Sequence, residues 1–217
     1  MTLRGRRVLI TAGPTREHLD PIRFMSNASS GAMGFALARA ARAKGARVTV
    51  VSGPAAGGAS AGTPRGVEVV PVVSALQMYR AVMARCRAAD VVIGAAAVGD
   101  WRFKRASGGK IKRTREPLTV TLVPNPDIIA AAARRARRGR GPRVVIGFAL
   151  ETSRWLARAR EKLERKGLDL VVANRPDSLG ARRSSAALVT RGSTTVLPRM
   201  DKDRLAGRIL AAVEELS

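Results

Sequence analysis

Apolar residues in this chain gather in short, nearly unbroken runs, separated by longer stretches where they recur every three or four positions. The runs "RVLITAG", "ARVTVVSGP", "VEVVPVV", "DVVIGAAAVGD", "PRVVIGFAL" and "LDLVVAN" read as strands, since they are rich in Val, Ile and Ala and most of them end in turn residues. The amphipathic stretches between them predict helices. These run from Ser30 to Lys44, through "SALQMYRAVMARCRAA" behind the capping residue Ser74, through "NPDIIAAAARRARR" and "TSRWLARAREKLERKG", and from Asp201 to the end. Two short strands, "SAALVT" and "TTVLP", precede the last helix, and an irregular basic stretch, Trp101 to Pro117, is followed by the alternating "LTVTLV". Strands that are apolar on both faces must be covered on both. The pattern therefore predicts an α/β fold, a doubly wound and mostly parallel sheet with helices on both faces, as one domain over residues 1–217.

In such a sheet, ligands settle beyond the carboxyl ends of the strands, near the point where the winding reverses. The strand ends "ITAGPTRE", "VVSGP", "IGAAAVGD", "IGFALET" and "VVANRPD" are mostly built of small residues, which let a ligand approach the backbone, and together they point to one pocket. A further stretch, Arg23 to Gly34, "RFMSNASSGAMG", runs straight into the first helix with Ser29, Ser30, Gly31 and Gly34 at its mouth. A dinucleotide fingerprint would place its glycines directly after the first strand, but that strand ends near Gly13 and the helix starts near Ser30; the Walker spacing is also absent. What remains is a helix N-terminus with free N–H groups and nearby hydroxyls, which suits a phosphate, or serines that only cap the helix.

Charge widens the list of partners. With 40 Lys and Arg against 16 Asp and Glu, the 217-residue chain carries a formal charge of +24, which attracts nucleic acid and phosphorylated small molecules alike. Its arginines are spread over helix faces and are not interleaved with aromatic residues as in single-strand binders, so a solvated basic surface is the plainer reading. Cys86 and His18 are each the only residue of their kind, which removes disulfides, zinc clusters and a Cys-His nucleophile pair; they read as helix packing and surface. The first apolar run is about five residues long with no cleavage pattern, and no run approaches the roughly 20 residues of a membrane span. A soluble cytoplasmic protein is expected, with chemistry resting on Lys, Asn, Asp, Ser and backbone amides.

The segment "ITAGPTREHLDPIRFMSNASSGAMGFALARAARAKGARVTVVSGP", followed in order by "AAAVGDWR", "GKIKR", "LVPNPDIIAA", "VIGFALET" and "KLERKGLDLVVAN", closely resembles the phosphopantothenate–cysteine ligases, over nearly the whole chain. The resemblance implies a ligase of coenzyme A biosynthesis that joins 4'-phosphopantothenate to L-cysteine with CTP and Mg²⁺ or Mn²⁺, through an acyl-cytidylate, releasing pyrophosphate and CMP. In many bacteria that ligase is fused behind a flavin-dependent decarboxylase. This chain looks like a freestanding form without flavin, expected as a homodimer paired through a protruding arm from Trp101 to "LTVTLV", with a separate phosphopantothenoylcysteine decarboxylase as a candidate partner.

Site roles also follow from the resemblance. Asn27 would face the acyl intermediate, and Lys110 the triphosphate during activation. Asp100 would bind the ribose or the metal, and the main chain at Ala96 and Ala97 the cytosine. Asn125, Pro126, Asp127, Ile128 and Phe148 would contact the nucleotide, with Lys162 and Lys166 near its triphosphate; Ser29, Ser30, Gly31 and Gly34 would receive phosphate oxygens. The family has KIKK where this chain has Lys110-Ile111-Lys112-Arg113, and often Ala and Tyr where it has Gly99 and Trp101; none of these changes removes a functional group. Without the resemblance, Lys110 reads as solvated charge and Phe148 as core. Two other classes stay open. A nicotinamide-dependent oxidoreductase is disfavoured by the displaced glycine turn and by the lack of a Tyr-x-x-x-Lys pair, and a nucleic-acid-binding protein rests on charge alone.

Overall fold

The structure is a computed structural model that describes residues 2–54, 64–175 and 183–216. Inside an eight-stranded sheet, third from one edge, lies β1 (Arg7–Ala12). From there the chain winds outward through β4 (Arg47–Ser52) to β5 (Val67–Pro71), then returns to the other side of β1 and winds outward again through β6 (Val91–Gly94), β9 (Val144–Leu150) and β10 (Leu170–Asn174), all parallel. Two antiparallel strands, β11 (Arg183–Val189) and β12 (Thr194–Asp201), complete that edge.

Side chains alternate across a strand. Val8, Ile10 and Ala12 of β1 therefore face one core, with α1 (Ala32–Ala43) and α5 (Lys202–Glu215). Leu9 faces the other core, with α2 (Ala75–Cys86), α3 (Ile128–Arg137) and α4 (Trp155–Lys166). The expected doubly wound fold is the fold observed. Among the described residues no helix is long and apolar enough to cross a membrane. Cys86 is buried in α2, where burial pushes its thiol up, and His18 is exposed.

Helix ends follow local chemistry. Ser74 closes a capping box with Gln77 at the start of α2, and the buried Glu17 carboxylate accepts from the Ala75 N–H beside it at 2.9 Å. At α1, in contrast, neither serine is the N-cap residue, although the Ser29 and Ser30 hydroxyls accept from the Gly31 and Ala32 N–H groups at 3.3 and 3.4 Å. The helix begins two residues later than expected, and Gly31 takes the N-cap in a left-handed conformation, φ 74°, without a side-chain cap.

Two hairpins of three-residue strands depart from the pattern reading. β2 (Arg16–His18) pairs with β3 (Phe24–Ser26), a hairpin that the hydrophobic pattern does not announce. β7 (Trp101–Phe103) pairs with β8 (Leu122–Pro124), so the stretch read as irregular opens with a strand, and only the last part of "LTVTLV" is one. The reason is the loop between them, which docks on the turn after β2. Ser107 N–H donates to Leu19 O, Ile111 N–H to the Asp20 carboxylate, and the Arg23 guanidinium to Ile111 O. Burial acts to raise the Asp20 carboxyl. The amides of Arg23, Ile22 and Ile111, with the Arg23 charge, outweigh it and hold that carboxyl below the ordinary carboxylate range. The segment expected to be an arm is thus tied to its own domain at this point.

Backbone approaches without side chains set how β1 meets its neighbours. A Cβ on Gly53 would lie 1.7 Å from Pro14 O, and one on Gly34 would lie 2.5 Å from Ala12 Cβ. The first contact is with backbone and cannot relax by rotamer change, so Gly53→Ala is expected to cost about 3 kcal/mol or more. Gly207, in the middle of α5 with open space around its Cβ position, should do the reverse, Gly207→Ala gaining up to about 1 kcal/mol. Urea unfolding of the two variants checks the pair; equal stabilities would contradict this account of Gly53.

Candidate functional site

Beyond β6 the chain leaves the sheet as a strap, Ala95 to Asp100, just where the strand order reverses at β1 and β6. It has little regular pairing, so side chains satisfy its polar groups. Thr11 Oγ1 accepts from Ala96 N–H at 3.2 Å and Thr15 Oγ1 from Gly99 N–H at 3.0 Å; both threonines are almost fully buried. Asn27 Nδ2 donates to Ala97 O at 3.2 Å and to Val98 O at 3.1 Å, and Asn125 Nδ2 to Gly99 O at 2.9 Å. Main-chain bonds from Ala97 N–H to Gly13 O and from Asn125 N–H to Asp100 O finish the work. The arrangement changes the expected reading of Asn27. Both of its amide hydrogens are committed to the strap, so in this arrangement the group it retains for a ligand is Oδ1, an acceptor.

The strap divides a cavity into two lobes, one on each side of the sheet. The first, about 260 Å³, is lined by Thr11, Asn125, Pro126, Asp127, Ile128 and Lys166 on the α3 and α4 side. The second, about 490 Å³, is lined by Asn27, Ser29, Ser30, Gly31 and Ala97 on the α1 and α5 side. Ala96, Val98, Asp100, Phe148 and Lys162 line both and form the seam. Nearly all the residues expected at the site are therefore brought together, but sorted into two groups rather than one.

Charges are concentrated at the seam and in the first lobe. Lys166 pairs with Asp127 at 2.7 Å, and Asp127 also caps α3 by accepting from Ala130 N–H. Burial acts to raise the Asp127 carboxyl, but the Lys166 hydrogen bond and charge, with the Ala130 amide, hold it low. Lys162 Nζ donates to Phe148 O at 2.6 Å. Its pKa is pushed down, first by burial and then by the Lys166 ammonium, against the pull of Asp127, Glu151 and Asp100. Asp100 is exposed, and its carboxylate has no hydrogen bond or salt bridge to the described residues.

Three expectations are displaced. Lys110 lines neither lobe; it stands on the docked loop next to Ile111. Gly34 is buried against Ala12 and serves the helix–strand contact instead of facing the cavity. The strand end "VVSGP" is closed off by the Gly53–Pro14 contact, while Pro176 and Asp177 of "VVANRPD" lie outside the described residues. Sequence reasoning passed over Thr11, Thr15, Asn174, Ser184 and Lys202. Thr11 and Asn174 could have been found as the polar residues at the ends of β1 and β10. Ser184 and Lys202 carry no local signal, since only the return of β11 and α5 brings them to the second lobe.

Comparison with known proteins places this cavity in a family. The model of the DNA/pantothenate metabolism flavoprotein C-terminal domain matches residues 3–216. The chain belongs to that family. It is 42% identical over 217 residues to the coenzyme A biosynthesis bifunctional protein CoaBC of Vibrio cholerae, covering 97% of this chain and 53% of that protein. Against the CoaBC protein of Mycobacterium tuberculosis strain H37Rv it is 41% identical over 225 residues, covering 97% and 52%. The chain thus spans about half the length of the curated relatives it matches. A crystal structure of the C-terminal domain of a CoaBC protein superposes with a TM-score of 0.82 at 34% identity, covering 99% of this chain and 97% of that one.

The resemblance implies a divalent cation. Among the described residues no three His, Cys, Asp or Glu side chains gather as a metal cluster. Mg²⁺ is commonly held by one or two carboxylates together with substrate phosphates. The unpaired Asp100 carboxylate at the seam suits that arrangement.

The downward shift of Lys162 has a sign that can be tested. Below its lowered pKa the buried ammonium weighs against folding, and that cost lifts as pH rises through this value towards the unfolded 10.5. An anion in the cavity needs the charged form. Binding of pyrophosphate, used as a probe in calorimetry, should therefore weaken as pH rises, beginning below the ordinary lysine range, and in Lys162→Arg the alkaline weakening should disappear. Identical pH profiles would show that Lys162 is not the group that titrates.

Proposed function

We propose that this chain joins 4'-phosphopantothenate and L-cysteine, using CTP and releasing pyrophosphate and CMP, as a phosphopantothenate–cysteine ligase of coenzyme A biosynthesis. One observation carries this reading: a two-lobed cavity whose lobes meet over the strand ends at Asp100, Lys162 and the strap, giving a nucleotide and an acid separate places and a common meeting point. The relatives named for coenzyme A biosynthesis support it, since this chain matches about half of their length.

A carboxylate resists attack by an amine because its leaving group would be an oxide. In the proposed reaction the 4'-phosphopantothenate carboxylate oxygen attacks the α-phosphorus of CTP, forming a C–O–P linkage as pyrophosphate departs. The cysteine amine then attacks the acyl carbon, the amide bond forms, CMP leaves with the bridging oxygen, and the amine proton passes to solvent or phosphate. Every species on this path is anionic. Lys162 and Lys166 would neutralise phosphate charge in a partly dehydrated setting, where such groups act most strongly. A divalent ion held by Asp100 and the phosphates would supply further charge neutralisation. Main-chain groups at Ala96 and Ala97 would read the cytosine edge, Asn125 to Ile128 would hold the nucleotide, and Ser29 to Gly31 would meet phosphate oxygens across the seam.

Lys110 enters this scheme from outside the cavity. Gly108 and Gly109, just before it, have open space where a Cβ would be, so the loop tip is not packed against its own domain there. Ile22, Phe24, Trp101 and Leu118 leave large apolar surfaces exposed on the hairpins and on this loop. A homodimer that covers them, with Lys110 reaching the partner's triphosphate, accounts for both features.

Asn27 should separate the two chemical steps. Its Oδ1 can accept from the amine of cysteine, which is needed only in the second. In Asn27→Asp an acceptor remains, but the carboxylate would lose both bonds to the strap and oppose the Ala97 and Val98 carbonyls, so the acceptor leaves its place. The variant should still release about one pyrophosphate per site and accumulate the acyl-cytidylate, with amide formation slowed on the order of 10²-fold. Quenched single turnovers analysed by mass decide this; product at the wild-type rate with no intermediate would remove Asn27 from the second step. The reading as a whole is tested by pyrophosphate release from CTP when 4'-phosphopantothenate is supplied, expected to exceed release from ATP. No release with any nucleotide would overturn the function, and equal or faster release with ATP would overturn the choice of CTP.

A further inference from the structure

Arg102, the second residue of β7, lines neither lobe and has no part in the reading above. It is half-buried, and its guanidinium reaches across the hairpin to donate to Pro124 O and, at 3.3 Å, to Asn125 Oδ1. Both acceptors are neutral, and no carboxylate of the described residues pairs with it. Asn125 in turn stands just after β8, at the open end of the same hairpin. Its main-chain N–H donates to Asp100 O at 2.8 Å and its Nδ2 to Gly99 O at 2.9 Å. Those two carbonyls belong to the peptide planes on either side of the Asp100 Cα. Each plane is rigid, so fixing both fixes the direction in which Asp100 projects its carboxylate.

The Asn125 amide can serve Gly99 O in only one of its two orientations. Turned over, Nδ2 would face the guanidinium and Oδ1 would face Gly99 O, donor against donor and acceptor against acceptor. A guanidinium only donates and keeps its charge at any ordinary pH, so Arg102 always selects the same orientation. We propose that Arg102 is a positioning residue: through Asn125 it fixes the two peptides around Asp100 and so aims that unpaired carboxylate at the seam, where it acts on Lys162. The assignment rests on the ligase reading for the identity of the ligand that Asp100 serves, the nucleotide.

Calorimetry of CTP binding, with Mg²⁺ present and no acid substrate, tests this in the wild type, Arg102→Met, Asp100→Asn and the double variant. Arg102→Met keeps the apolar stem and loses every donor, and it should weaken CTP binding about 10-fold. In the Asp100→Asn background the same substitution should change the affinity less than about twofold, because the carboxylate whose direction it sets is gone. Arg102→Lys, also a pure donor, should recover most of the loss. Circular dichroism reports whether each variant is folded; if Arg102→Met is not, Arg102→Gln, whose own amide can turn either way, takes its place in the cycle. A loss of equal size in both backgrounds would mean that Arg102 supports the fold or touches the nucleotide independently of Asp100, and would overturn the assignment, as would an unchanged affinity in Arg102→Met. CTP binding by the wild type without pyrophosphate release on adding 4'-phosphopantothenate would overturn the ligase reading while the cycle still decides the role of Arg102; no CTP binding at all would overturn both.

Discussion

A backbone segment that leaves a sheet at the point where the winding reverses has lost its neighbours on both sides. Its amides and carbonyls still need partners, and burial makes that need strict. Here the strap from Ala95 to Asp100 is held by Thr11, Thr15, Asn27 and Asn125, which come from the end of β1, the turn after it, the approach to α1 and the approach to α3. Four separate parts of the chain are thereby fixed to one another through Ala96, Ala97, Val98 and Gly99. The seam residues Ala96, Val98 and Asp100 all lie on this strap, so the geometry at which two ligands could meet is set by hydrogen bonds that touch neither of them.

That dependence also decides what could be read without coordinates. The parallel strands were legible as short, nearly unbroken apolar runs, and the helices because each repeats a period of about 3.6 residues over several turns. The nucleotide-side residues were legible only through resemblance, since the small side chains of "AAAVGD" or the helix start "NPDI" say little alone. Asn27 was named for the right neighbourhood but with its amide pointed differently, because nothing local reveals that two carbonyls of the strap lie within reach. The β2–β3 hairpin escaped since three residues are too few to show alternation. Lys110 was drawn to the cavity by its motif, whereas its position follows from the Asp20 carboxylate that holds the next residue, a contact between positions far apart in sequence.

The large positive charge takes on a narrower meaning in this frame. As an excess over 16 Asp and Glu, most of it has no acid to pair with, and only a few cations pair piecemeal, as in Arg39 with Asp203 and Lys44 with Glu214, which hold α1 against both ends of α5. Exposed pairs of this kind contribute little each. Lys162 is different, because burial and a neighbouring ammonium both disfavour its charged form, at a cost to the fold. Stability given up at one residue in this way is a common mark of a site shaped for an anion.

Placing the two lobes on opposite faces of one sheet has a consequence for how such a protein can change. Apart from Lys162 of α4, which lines both, the lining side chains of α3 and α4 belong to the first lobe and those of α1 and α5 to the second, with β-strands between them acting as a partition. Substitutions distant enough to share no partner combine almost additively. Selection can therefore retune one lobe while the other is inherited unaltered, and only the seam, the strap with Phe148 and Lys162, is closed to that kind of drift.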